Sequence, residues 1–143
     1  MPSDLTLKSM NAVHRVILAF SFGRRGWTMG RMPVLELTTI GRKTGQRRTV
    51  LLTSPVRDGP ALVIVASRGG DDRSPSWFLN LVANPEVEVA VQGAAAVPMR
   101  ARVATTDERA RLWPMIAVDH RHYAEYQTRT EREIPLVLLD PVA

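Results

Sequence analysis

Runs of β-branched residues joined by short links dominate the middle of the chain. Val34–Ile40 and Thr49–Thr53 flank the segment 41–48, and the pair reads as a hairpin. A turn at Asp58-Gly59 leads into a strand through Leu62–Ala66. Val87, Val89 and Val91 alternate with Glu88 and Ala90, and after Gln92-Gly93 a partner strand runs to Val103. Ile134–Leu139 reads as a closing strand. Parallel neighbours need crossovers of a dozen or more residues, so links this short impose antiparallel pairing. Closing such a sheet removes its exposed edges. The expected class is therefore α+β, mainly β: a barrel of six to seven mostly antiparallel strands with short helices around it.

The helices are few. Residues 5–20 place Met10, Val13, Ile17 and Phe20 at steps of three and four, an amphipathic stripe with Lys8 and Arg15 off it. A Gly/Arg-rich link follows to Met32. Ser74 as cap with Pro75 at the first helical position predicts a helix that Asn84-Pro85 stops. Thr105 and Glu108 have capping-box spacing ahead of a helix over Arg109–Val118, which Pro114 should kink or shorten. With 143 residues, 45% of them hydrophobic, the chain can bury one sizeable core. The expectation is a single domain, 1–143, in which 1–32 form the N-terminal helix and a basic linker.

There are no cysteines and three histidines, His14, His120 and His122, so thiolate chemistry is excluded and a zinc site is not expected. No run approaches the ~18 apolar residues of a membrane span, and the N-terminus lacks a secretory layout, so a cytoplasmic location is expected. The apolar stripe of the first helix, with cations nearby, leaves room for peripheral contact with an anionic membrane.

Charge is unevenly distributed. Residues 1–57 hold ten Lys/Arg against two acids, net +8, and the remainder holds nine against twelve, net −3, giving the total of +5. An anionic partner at the N-terminal part is implied. Nucleic acid is disfavoured because residues 38–57 contain no aromatic to stack a base. Within this region Gly41 and Gly45 bracket Arg42, Lys43 and Thr44. Glycines there permit a tight turn and close approach of an oxygen-rich ligand. It is not a Walker A loop, since Arg42 stands where that motif needs glycine. By spacing alone, a basic hairpin turn and a phosphate grip remain equally open. A second pair, Gly69-Gly70, follows Ser67-Arg68 at a strand end, just ahead of a helix N-terminus.

The segments LTTIGRKTGQRR, VASRGG, SPSWFLNLVANPEVEV and YAEYQTRTEREIPLVLL, in this order, resemble the deazaflavin-dependent nitroreductase family, whose members use coenzyme F-420. The resemblance implies a split β-barrel and an oxidoreductase passing a hydride from reduced F-420, an 8-hydroxy-5-deazaflavin, to an electron-poor acceptor: a quinone, a nitroaromatic or an unsaturated lactone such as a coumarin. It implies that Arg42, Lys43, Thr44, Gly45 and Gln46 hold the coenzyme phosphate with Arg48 beside them. It lays Ala66, Ser67, Arg68, Gly69 and Gly70 along the deazaflavin and its acidic tail. It sets Pro75, Trp77, Phe78 and Asn80 at the ring. The family's Y-x-x-Y-x-x-Y pattern, which lines the acceptor pocket, has His120 in place of its first tyrosine, with Tyr123 and Tyr126 at the second and third. Tyr123 is the implied candidate for orienting the acceptor and donating a proton, and Trp77 for touching it. An FMN- or pyridoxine-phosphate-type oxidoreductase on the same barrel and a non-catalytic F-420 carrier are the alternatives. The expected partner is a small-molecule acceptor, with a homodimer left open.

Overall fold

A computed structural model of the chain describes residues 28, 29 and 31–142. The elements run β1 (Thr28–Met29), β2 (Met32–Ile40), β3 (Arg47–Thr53), β4 (Val56–Asp58), β5 (Ala61–Val65), α1 (Ser76–Ala83), β6 (Glu86–Val91), β7 (Val97–Val103), α2 (Thr106–Asp119), α3 (Arg121–Thr128) and β8 (Leu136–Pro141). A 3-10 turn covers Arg68–Gly70.

Every strand pair is antiparallel, and the sheet follows the path β3-β2-β6-β7-β8-β5-β4. The two ends of that path, β3 and β4, are joined by Ser54 and Pro55 alone. Three residue steps reach about 10 Å, so the sheet must curl until its ends approach. Ser54 sits buried in this seam. Its amide donates to the Pro33 carbonyl at 3.1 Å, and its hydroxyl donates to the Val63 carbonyl of β5 at 2.8 Å. The result is the expected antiparallel, mainly β barrel.

Two cores follow from the curl. Leu35, Leu37, Leu62, Ile64, Val87, Val89, Ala101, Val137 and Leu139 fill the interior, and α1 plugs it with Trp77 and Leu81. The other face of β5 and β8 presents Ala61, Val63, Val65, Leu136 and Leu138 to Leu112 and Ile116 of α2 and Tyr123 of α3. Burial on both faces explains why β5 reads ALVIV without alternation.

Several local expectations are corrected. The basic link to Met32 carries a short strand: Thr28–Met29 pairs with Met32–Pro33, and Arg31 takes φ 68°. The cap of α1 is Pro75 rather than Ser74; Pro75 is extended (φ −66°, ψ 151°), and its carbonyl accepts from Phe78 and Leu79. The capping box of α2 forms as expected, but Pro114 does not end that helix. Ala110, whose carbonyl loses its partner to Pro114, is exposed, as is Pro114 itself. The amphipathic helix expected over 5–20, with His14 and its membrane-facing stripe, lies outside the described residues. Among the described residues no helix is long and apolar enough to cross a membrane.

Candidate functional site

Strand directions gather the glycine segments. β2 and β5 run the same way in the sheet, so the turn after Ile40 and the loop after Val65 leave from one end of the barrel, where α1 also lies. Gly45 has φ +72°, the left-handed geometry that spacing suggested, and closes the turn by donating to the Gly41 carbonyl at 2.8 Å. Gly41 is needed for space, because a Cβ there would meet the Thr44 hydroxyl at 2.8 Å. That hydroxyl accepts from the Gln46 amide at 3.2 Å.

Asn80 joins this turn to α1. It is 5% exposed. Its Oδ1 accepts from the Arg42 amide (3.2 Å) and from Arg42 Nη1 (2.9 Å), and its Nδ2 donates to Thr39 Oγ1 (3.3 Å). Two donors on one side fix which atom of the amide is oxygen. Asn80, assigned to the ring face by resemblance, is thus directed into the protein, where it orients Arg42. Arg47 forms a two-pronged ion pair with Glu88 and holds that carboxyl below its usual range. Arg42, Lys43 and Arg48 have no carboxylate partner among the described residues. The stem of Arg48 lies against the turn, its Cγ 3.9 Å from where a Gly41 Cβ would stand. Three cations without a carboxylate partner and a tight glycine turn on one exposed corner form a site suited to a phosphate.

The second glycine segment is braced from behind. Arg132 donates to the carbonyls of Ala66 (3.2 Å), Ser67 (3.0 Å), Asp71 (3.0 Å) and Arg73 (3.4 Å). Its Nη1 is buried without a partner among the described residues. Gly70, at φ +85°, packs so closely that a Cβ would stand 2.7 Å from the Tyr126 carbonyl. Arg68 departs from expectation. Its side chain is 5% exposed and pairs with Asp71 at 3.0 Å, so it is not a surface cation for an acidic tail. Asp71 is itself held below the usual carboxylate range, first by the Arg73 amide and then by the neighbouring guanidinia. Sequence reading missed Asp71 and Arg132. In TRTERE the alternation of charge looks like a solvated surface, and only its position beside the closing strand could have marked it.

The aromatic residues are placed less accessibly than the resemblance implied. Trp77 belongs to the interior core, with Phe78 edge-on at 6.4 Å, and Pro75 is buried. Tyr123 is 6% exposed. Its hydroxyl lies 2.9 Å from Thr53 Oγ1 and contacts Met32 Sδ at 3.7 Å. Burial raises its pKa, against the smaller pull of the Thr53 bond. A proton donor needs the opposite: contact with the reacting atoms and a pKa closer to neutral. Thr53 also stands six residues along β3 from Arg47, about 20 Å from the turn. Tyr123 therefore does not present its hydroxyl at the cationic corner. His120 and Tyr126 are half-buried and flank it at 6.4 and 6.1 Å between centroids. His122, not singled out from sequence, lies 4.0 Å from the Tyr123 ring, and desolvation lowers its pKa. An open cleft of about 500 Å³ beside residues 128–132 mixes Asp72 and Glu131 with Arg129 and Arg132. Its mixed sign does not suit a polyanion.

Comparison with known proteins gives a consistent assignment. The model of a family described as F-420H(2)-dependent quinone reductase matches residues 13–141. An F-420H(2)-dependent quinone reductase of Mycobacterium tuberculosis is 44% identical over 133 residues, covering 89% of this chain and 87% of the relative. The solved structure of an F-420-H2 dependent reductase is 38% identical with a TM-score of 0.65, covering 76% of this chain and 94% of the other. Another solved structure, described as a domain-swapped dimer, is 34% identical with a TM-score of 0.66 and covers 93% of this chain and 99% of the other.

Proposed function

The chain belongs to the F-420H(2)-dependent quinone reductase family, and on that premise we propose that it uses reduced coenzyme F-420 to reduce a quinone, with the coenzyme phosphate on the Arg42–Gln46 turn. The carrying observation is the turn itself: Asn80 fixes Arg42 while Lys43 and Arg48 beside it lack a carboxylate partner. The residues fit a phosphate-bearing coenzyme in charge. When bound, reduced F-420 supplies the hydride, and the chain supplies position and charge.

In this reading Arg42, Lys43 and Arg48 provide charge-assisted hydrogen bonds. Gly45 and Gln46 shape the turn, and the Thr44 hydroxyl keeps its proton free to donate. Ala66–Gly70 provide backbone beside the coenzyme, with Arg68 acting behind it through Asp71. Trp77, Phe78 and Pro75 support the corner from the core. His120 and Tyr126 are the residues proposed to face the acceptor, while Tyr123 builds the wall between them. Nitroaromatics and unsaturated lactones such as coumarins are proposed as further acceptors. A homodimer is the proposed assembly, in line with the relative solved as a domain-swapped dimer.

The test is oxidation of reduced F-420 by the purified protein against a panel of quinones, nitroimidazoles and coumarins, with reduced FMN as a parallel donor. Turnover with F-420 and a quinone is expected. Turnover with reduced FMN alone would transfer the phosphate grip to a flavin and overturn the reading. Reversible binding of F-420 with no turnover against any acceptor would make the chain a carrier.

A further inference from the structure

On the interior side of the β2–β3 hairpin both strands change character at the same layer. Side chains alternate along a strand, so Leu35, Leu37 and Thr39 share the interior face, and their cross-strand partners in β3 are Leu52, Val50 and Arg48. The pair nearest the turn is polar where the other two are apolar. Thr39 is nevertheless only 1% exposed. Valine would fill nearly the same volume there, and burying a hydroxyl is unfavourable unless it is hydrogen-bonded. The Thr39 hydroxyl oxygen accepts from Asn80 Nδ2 at 3.3 Å. Asn80 is buried as well, so this bond holds one side of its amide while the Arg42 amide (3.2 Å) and Arg42 Nη1 (2.9 Å) hold the other. Turning the amide over would set Nδ2 against two donors, so one orientation alone satisfies all three partners. Arg42 Nη1 is thereby committed, while its Nε and Nη2 make no hydrogen bond among the described residues. The guanidinium is planar, and fixing one nitrogen constrains where the remaining N–H groups project.

We propose that Thr39 is a positioning residue for coenzyme binding: through Asn80 it orients the Arg42 guanidinium, leaving the Nε–Nη2 fork open to two oxygens of the coenzyme phosphate. The role rests on the coenzyme reading above. A fork of parallel N–H groups suits a phosphate, and its strength depends on being held in place. Thr39 supplies no charge and, buried below the turn, touches no coenzyme. Without its oxygen, Asn80 Nδ2 is a buried donor lacking an acceptor, a costly state that the amide relieves by rotating away. Arg42 then loses its anchor. Affinity falls although every cation remains. Serine at this position keeps the oxygen, whereas valine keeps the shape and loses it.

The experiment is a double-mutant cycle on the full chain with Thr39→Val and Arg42→Met, read as the Kd for F-420 and as KM and kcat for reduced F-420 with a quinone. Thr39→Val should raise Kd and KM about fivefold, with kcat at saturation changed less than about twofold. Thr39→Ser should keep the parent values. The salt dependence of binding should be the same in Thr39→Val as in the parent, since no cation is removed. In the Arg42→Met background Thr39→Val should add nothing, because the residue it acts through is gone. A loss that persists in that background, or that Thr39→Ser shares, overturns the role, since general loosening of the barrel mouth would add independently. Affinity lowered by Arg42→Met but untouched by Thr39→Val overturns the role and leaves the coenzyme reading standing. Affinity untouched by Arg42→Met as well removes the phosphate from the turn. Should Thr39→Val not fold, Thr39→Ala carries the same cycle, and NMR of the parent gives a second check. The Asn80 Nδ2 protons should be protected from exchange with solvent, and free exchange would overturn the bond on which the role depends.

Discussion

Tyr123 separates what a motif implies from what a side chain can do. The Y-x-x-Y spacing puts it in an acceptor pocket by resemblance, but its hydroxyl is buried against Thr53 and Met32, with a raised pKa. Tyr123→Phe should therefore leave turnover with a quinone within about threefold, where a proton donor would cost ~10²–10⁴-fold. Its effect should appear in stability, as a loss of about 1 kcal/mol for the Thr53 bond, read by denaturant unfolding. A hundredfold loss of turnover in a stable variant would return the tyrosine to the chemistry. Asn80 shows the complementary case, in which a residue named for one contact makes another. Asn80→Asp keeps the shape but sets a carboxylate 2.9 Å from Arg42, neutralising it in place. F-420 affinity should fall about tenfold, with the unfolding midpoint little changed. Equal affinity would mean that Arg42 does not hold the phosphate. The sequence marked Asn80 by its place in a motif. That its partner is Arg42, 38 residues earlier, needed the fold.

At the scale of elements, local chemistry was readable where it is self-contained. The box at Thr105 and Glu108 forms because both partners lie within four residues: the Thr105 amide donates to Glu108 Oε1 at 2.9 Å, and the Glu108 amide donates to Thr105 Oγ1 at 3.2 Å. What it could not reveal is Arg102, which brings β7 to the same carboxylate and reaches Asp140 of β8 at 2.7 Å. Arg102 and the Thr105 amide hold the Glu108 carboxyl down to about 2, from 4.5. A carboxyl depressed in the folded state stabilises above its unfolded value and loses that contribution as pH falls through its folded one. Between pH 4.5 and 2 the melting temperature should thus fall more steeply in the parent than in Glu108→Gln. The variant should already melt lower at neutral pH. Parallel pH profiles would remove Glu108 from acid stability. α3 was missed for a related reason: its support is tertiary, Tyr123 facing the outer core and Gly70 against the Tyr126 carbonyl, and RHYAEYQT has no local start signal. Pro114 was over-read because an exposed helix face leaves the orphaned carbonyl accessible to water.

For the whole molecule, the charge asymmetry of the chain becomes a spatial one. The strand order could be inferred only as antiparallel. The seam at Ser54, and with it the meeting of the turn, the 66–73 loop and α1 at one end, depends on pairings far apart in sequence. Folding also sorts the cations, pairing Arg47 with Glu88, Arg68 with Asp71, Arg102 with Glu108 and Asp140, and Arg111 with Asp58. Arg42, Lys43 and Arg48, which have no such partner among the described residues, lie together at the turn as a positive corner. Reversing charge at Arg42 and Lys43 should weaken F-420 binding about a hundredfold or more, since each charge-assisted bond to phosphate is worth roughly 1.5–3 kcal/mol. The unfolding transition should barely move, because both side chains are exposed and outside either core. Salt supplies an independent check. With a screening length near ~8–10 Å, added salt should weaken binding to the parent and leave the residual binding of the double variant nearly flat. If affinity and salt slope both survive the reversal, the phosphate is held elsewhere. The positive turn would then act only to draw the coenzyme in.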